Sequence, residues 1–209
     1  MSLLCDCPNP TALETIIDYD CPIDFSEIVK IAISRNRKFQ GATHLTTPFP
    51  DPIETNIITL AEWATTLAAA DATKTIVTPL VDDVENEPGA PITEELTVRT
   101  INTGLEPTTF TGVMDGAPGP TVANFKKLAC EKILYVFLFD RLGRIIYSLN
   151  GAIVEGFKVS NNSFFMQDVE MKKRLRNKNR FGFQLESGWS DTAKIAPPAD
   201  FDALTDLTN

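Results

Sequence analysis

The chain has 209 residues, 43% of them apolar, and a formal net charge of −9. That length suits one large domain or two small ones with a substantial core, and the acidity excludes a general nucleic-acid binder, because neutralising phosphate needs a basic face. No apolar run reaches the roughly 20 residues that a membrane-spanning helix requires; the opening MSLLCDCPNP also lacks the basic region and apolar stretch of a secretory signal, so synthesis in a cytoplasm and no membrane partner are expected.

Residues 1–24 are rich in Pro and Asp and carry little periodicity, which reads as an N-terminal arm. Phe25–Arg35 follows as a strand, with Val29, Ile31 and Ile33 alternating with Lys30, Ala32 and Ser34, the period of a half-buried element. A Pro-broken loop (36–54) leads to a helix over Thr59–Ala70. Thr59 with Glu62 three residues on spells a capping box, Ile58 with Trp63 a hydrophobic staple, and Leu60, Trp63, Ala64 and Leu67 form the inward stripe. Thr73–Val81 reads as a strand. Asp82–Glu95, acidic and interrupted by Pro88-Gly89-Ala90-Pro91, reads as an exposed loop. Leu96–Ile101 and Pro107–Met114 are short strand candidates, and Thr121–Lys132 is a second helix, with Val122, Phe125 and Ala129 inward.

The most apolar run is Ile133–Leu149. Its aromatic and β-branched residues suit a packed, pleated surface. Asp140 opens and Gly143 closes a tight turn, so a hairpin is expected whose first strand is buried on both faces. Asn150-Gly151 makes the next turn, and Ile153–Val159 is a strand weakened by Gly156. Phe165, Val169 and Met171 share one face of a strand, and Phe181, Phe183 and Leu185 share one face of its partner. After Trp189 the chain is acidic and Pro-broken; Phe201 and Leu204 are able to dock it on a partner or on its own domain. The fold class is therefore α+β, mainly β: an antiparallel sandwich or barrel with two helices packed on it and extended arms at both ends. The division is an arm (1–24), a single β-rich domain (25–190) and a C-terminal tail (191–209).

No constellation of catalysis emerges. Walker, Rossmann and nucleophile-elbow patterns are absent from the sequence, and the single histidine, His44, rules out multi-histidine metal sites. Cys5, Cys7 and Cys21 offer three thiolates, with Cys130 or His44 as a distant fourth ligand, but the CxxC pairs usual for zinc are missing. The expectation is a protein without catalytic residues, cofactor or metal. Charge is the remaining signal. Asp82, Asp83, Glu85 and Glu87, with Glu94 and Glu95, make a stretch of acids without a base, whereas Lys172, Lys173, Arg174, Arg176, Lys178 and Arg180 fall within nine residues. These are the candidate assembly residues, the acidic stretch of one subunit facing the basic hairpin tip of the next. Such pairing supplies register and steering more than affinity. The plainer reading is a hairpin tip kept soluble by like charge.

Several stretches add a resemblance: DCPIDFSEIVKIAISR (20–35), IITLAEWATTLAAADATKTIVTP (57–79), DRLGRI (140–145) and FGFQLESGWSDTAKIAPPADFDALTDL (181–207). Together they are similar to virion structural proteins of tailed phages that infect Bacteroidetes. The resemblance implies a subunit made in the bacterial host and incorporated in the virion, best matched to tail tube or tail hub proteins. It implies homomeric rings, hexameric or trimeric, contacts with neighbouring virion proteins, and a channel through which DNA passes without sequence recognition. An acidic subunit suits such a lumen, because like charge prevents phosphate adhesion. The alternatives are a head-side role, as capsid decoration or head–tail connector, and a cytoplasmic binding module.

Overall fold

The computed structural model describes residues 27–41, 53–95, 100–168 and 178–208. In chain order the elements are β1 (Ile28–Ser34), α1 (Glu54–Ile57), α2 (Leu60–Ala68), β2 (Ile76–Val77), β3 (Asp82–Glu87), β4 (Pro91–Glu95), β5 (Thr100–Leu105) and β6 (Thr108–Asp115). Then come α3 (Gly119–Leu128), β7 (Tyr135–Asp140), β8 (Ile145–Asn150), β9 (Ile153–Glu155), β10 (Phe157–Lys158), β11 (Phe165–Met166), β12 (Lys178–Leu185) and β13 (Ala193–Ala196). The sheets are antiparallel and stack as a sandwich; they do not close into a barrel.

The apolar hairpin is the middle of the first sheet, whose strand order is β13-β8-β7-β1-β2. Asp140 builds the turn as its sequence promised: its Oδ1 accepts from the N–H groups of Leu142 (3.0 Å) and Arg144 (2.9 Å), and Gly143 takes φ +75°. Beyond Ile146 the two strands splay. The chain fills the opening by passing β9 against β8 and β10 against β7. The switch falls at Gly156, where a Cβ would stand 2.9 Å from that of Tyr135.

Because β7 is buried on both faces, this sheet has a core on each side. On one side Ile31, Ile33, Val136, Leu138 and Ile146 meet Phe110, Phe181, Phe183 and Leu185 of the second sheet, ordered β11-β12-β6-β3, and α3 adds Val122 and Phe125. On the other side Trp63 of α2 packs among Phe39, Phe137 and Phe139, with ring centroids 4.7–5.7 Å away. Trp63 donates from Nε1 to the Ile57 carbonyl at 2.7 Å. The Trp63–Phe137 pair is edge-on and the other two are tilted; an edge-on pair adds about 0.5–1.5 kcal/mol beyond area burial.

Several expectations change. β1 is buried on both faces rather than half-buried, and Lys30 within it is 3% exposed. The capping box does not form: the Thr59 hydroxyl donates to the Thr55 carbonyl; separately, Asp200 Oδ1 accepts from the Leu60 N–H at 2.8 Å. Ala64 faces out and Thr66 faces in, its hydroxyl satisfied by the Trp63 carbonyl. The strand expected over Thr73–Val81 is only Ile76–Val77, and the second helix spans Gly119–Leu128. A single helical turn, α1, joins the two expected helices. Asp82–Glu95 is not a loop; it forms β3 and β4. Of the strand drawn through Phe165, Val169 and Met171, β11 covers Phe165–Met166, and the other two positions lie outside the described residues.

The C-terminal residues dock on their own domain. β13 pairs with β8, and Ala203 and Leu207 are fully buried against Trp63 and Phe139 in the helix-side core. Lys30 points into that same layer. Its Nζ donates to the carbonyls of Ala203 (3.2 Å), Leu204 (2.8 Å) and Leu207 (2.6 Å).

Candidate assembly surface

The acidic stretch belongs to one long interrupted hairpin. β3 pairs with β6, Glu87 opposite Thr109, and β4 pairs with β5, Pro91 opposite Leu105. The Glu106 N–H donates to the Ala90 carbonyl at 2.9 Å, joining the two halves. Gly89 is required at this joint: a Cβ there would lie 1.8 Å from the Glu106 carbonyl oxygen. The root of the hairpin is part of the second sheet. Its outer half, β4–β5, is a two-stranded ribbon that, among the described residues, packs chiefly on itself. All five residues of β4 are exposed, Ile92 at 45%, and Leu105 on β5 is 51% exposed. An isolated two-stranded ribbon is at best marginally stable in water and carries unpaired edge groups.

The register fixes where the charges stand. β12 runs antiparallel to β6 from Lys178 opposite Asp115 to Leu185 opposite Thr108. The ribbon leaves the sheet at the Thr108 end. The start of β12 and the start of α3 are both at the Asp115 end, about 25 Å away for strands of this length. Glu87, Glu94, Glu95 and Glu106 thus lie on or beside the ribbon. Asp82 and Asp83 lie at the other end, at a bulge where Asp83 takes φ +50°. There Lys178 Nζ stands 3.6 Å from Asp83 and 4.0 Å from Asp115. Glu85 sits midway, opposite Thr111.

Of the six candidate bases, Lys178 and Arg180 are seen, and Arg180 is exposed. Lys172, Lys173, Arg174 and Arg176 lie outside the described residues. One acid–base contact expected between subunits therefore exists inside a single chain, at Lys178–Asp83. β3 is also the edge of the second sheet, and its acids and bulge blunt an edge open to indiscriminate pairing.

Two clefts flank these strands. One, about 440 Å³, opens between the sheets beside the ribbon root and is lined by Ile28, Val84, Phe110, Leu138, Ile146 and Trp189. The other, about 350 Å³, is polar, and its carboxylates are occupied: Glu155 accepts from Arg37 at 2.8 Å and Glu186 pairs with Lys158. Among the described residues no group of three or more His, Cys, Asp or Glu side chains is placed to hold a metal. Cys130 is exposed, whereas Cys5, Cys7, Cys21 and His44 lie outside the described residues. No described helix is long and apolar enough to cross a membrane.

No protein-family model and no curated protein matches the chain. Sequence reasoning missed the ribbon, the Lys30 cage and the Asp200 cap. A signal for the ribbon existed in the β-branched residues Ile92, Thr93, Thr100, Ile101 and Thr103, masked by the acids and by Pro88-Gly89. Lys30 was the one charge inside IVKIAIS, which marks a buried and partnered base as readily as a solvent-facing one.

Proposed function

We propose that this chain is a phage virion structural protein, a tail tube or tail hub subunit that assembles into homomeric rings. The observation that carries this reading is the β4–β5 ribbon, which projects from the second sheet with acidic and apolar side chains exposed and finds little to pack on among the described residues of its own chain. A segment built this way gains order from a neighbour, and strand pairing across subunits is a common means of supplying it. The sequence resemblance to virion proteins of Bacteroidetes phages and the net charge of −9 support the same reading. The test is negative-stain electron microscopy of the purified protein beside multi-angle light scattering. Rings, with a mass several times 23.0 kDa, are the expected result; monodisperse monomers at high concentration would sink the ring reading.

The cleft between the sheets, lined by apolar side chains together with Glu27, Asn86, Thr108 and Ser190, favours one other reading, a binding module, because small ligands fill concave sites of this size. Saturable binding of a hydrophobic dye that Ile146→Trp abolishes, by a protein that stays monomeric, would favour it over the ring.

A further inference from the structure

The polar cleft of about 350 Å³ lies where β7 and β8 splay and β9 and β10 fill the opening; the turn after β12 supplies one wall. Glu155 on β9 lines it at 5% exposure. A carboxylate buried to that degree is costly unless its oxygens are met. Its Oε2 accepts from Arg37 Nε at 2.8 Å, and among the described residues nothing donates to Oε1. The buried polar atoms without a partner are Asn36 Nδ2 and Asn179 Oδ1, so Glu155 Oε1 opens on the cleft instead of being sealed. Arg37 gives only Nε to this pair, and its side chain is 58% exposed, which leaves the two terminal NH2 groups for another acceptor.

The other lining groups continue the pattern. Lys158 pairs with one oxygen of Glu186, and both are about half exposed, as rim residues are. Ser148 stands opposite Glu155 in the β8–β9 register, and its hydroxyl is 2.8 Å from that of Thr192, a pair in which only one of the two donates to the other. Trp189 is half-buried and held between Phe110 and Phe157, with ring centroids 5.3 Å from each. Two bases and two acids leave these lining residues without net charge. That balance disfavours phosphate or a cation. Spare donors and acceptors beside a fixed aromatic ring suit a ligand that is uncharged, rich in hydroxyls and apolar on one face.

We infer that this cleft binds a neutral sugar residue, whose adjacent hydroxyls donate to Glu155 Oε1 and accept from Arg37 while its C–H face lies on Trp189. A hydroxyl both donates and accepts, so a diol matches a carboxylate beside a guanidinium without bringing a charge of its own. Hydrogen bonds to such ionised groups are the strong ones, and the electron-rich face of an indole attracts the positive edge of C–H bonds. The volume falls at the small end of the range for ligand sites, roughly 300–1,000 Å³. This site does not rest on the ring reading.

The test is isothermal titration calorimetry of the full chain with glucose, galactose, mannose and N-acetylglucosamine, beside glucuronate and inorganic phosphate. At least one neutral sugar is expected to bind saturably, in the millimolar range or tighter, and more tightly than glucuronate or phosphate. Glu155→Gln keeps the shape of the side chain and should weaken binding at least about tenfold, the loss of a hydrogen bond to a charge. Trp63 is fully buried, so the sugar should change the fluorescence of Trp189 alone, and Trp189→Phe should remove that change. Thermal melting checks that both variants keep their fold, and the fluorescence of the parent decides if Glu155→Gln does not. No saturable binding by any neutral sugar overturns the site, as does tighter binding of either anion. Parent-like affinity in Glu155→Gln, or binding without a change at Trp189, places the sugar elsewhere and overturns it too. None of these outcomes alters the ring reading, which electron microscopy decides.

Discussion

Tyr147 shows how one side chain ties two layers together. It is 1% exposed on β8, and its hydroxyl donates to Glu54 Oε1 at 2.7 Å, at the start of α1. Burial first, and the Glu54 carboxylate second, hold its phenol well above the ordinary value of 10.0. The sign follows from proton counts. Above pH 10 the unfolded chain releases this proton and the folded chain retains it, so the stability it contributes is complete below pH 10 and is lost as pH rises further. Lys30 acts in the opposite sense, since burial, only partly offset by Asp202 and Asp206, lowers its pKa. Comparing Tyr147→Phe with the parent cancels that contribution. Urea unfolding at about pH 8 and about pH 11 should show a larger loss of stability in the parent than in Tyr147→Phe; equal losses would remove Tyr147 as the source. Neither Lys30 nor Tyr147 announced its partner in sequence, because Ala203, Leu204 and Leu207 lie more than 170 positions from Lys30 and Glu54 lies 93 from Tyr147.

At the scale of elements, legibility followed the range of the interactions. The hairpin of β7 and β8 was readable because Asp140, Gly143 and the flanking apolar runs act within a few residues of one another. The alternation of Phe181, Phe183 and Leu185 was equally plain, and these side chains do face the inter-sheet core. The opposite face of β12 needs Gly182: an added Cβ would lie 2.5 Å from the Phe165 ring and 2.8 Å from the Phe110 carbonyl oxygen. The ring is able to turn aside, but the β6 backbone is not. Gly182→Ala is therefore expected to cost roughly 1–3 kcal/mol, the range for overpacking a filled site. The measurement is the urea midpoint at unchanged m-value; an unaltered midpoint would show that β6 and β12 yield. β3 and β4 went unread because charge and Pro-Gly punctuation are local signs of a loop, whereas pairing with β6, 22 and more positions away, made a strand of β3, and pairing with the nearer β5 made one of β4. The Thr59–Glu62 capping box does not form, the Thr59 hydroxyl turning back to the Thr55 carbonyl; Asp200, 140 positions away, meets the Leu60 N–H, which that box does not use.

The whole molecule is a three-layer stack in which the C-terminal residues complete the outer layer. Ala203 and Leu207 seal the face above β1 and β7, Asp200 caps α2, the Ala199 N–H donates to Ile58 at 2.8 Å, and three carbonyls hold Lys30. Deleting residues 198–209 removes all of these at once. The loss of buried apolar surface and of hydrogen bonds to a charge amounts to at least about 4 kcal/mol, a large share of the about 5–15 kcal/mol that a domain has in total. Chemical denaturation of the truncated chain checks this; a midpoint equal to the parent's would mean that the tail rests on the domain without supporting it.

By itself the sequence determined the class of fold, the buried hairpin and its turn, the two main helices and the uneven charge, all of which rest on periodicity, local turn chemistry or composition. The tertiary structure decided which strands share a sheet, that an acidic stretch becomes half of a projecting hairpin, that Lys30 is buried among carbonyls, and that Lys178 meets Asp83 and Asp115 within one chain. Those are outcomes of long-range pairing, in which a residue's environment is set by neighbours that no local pattern names.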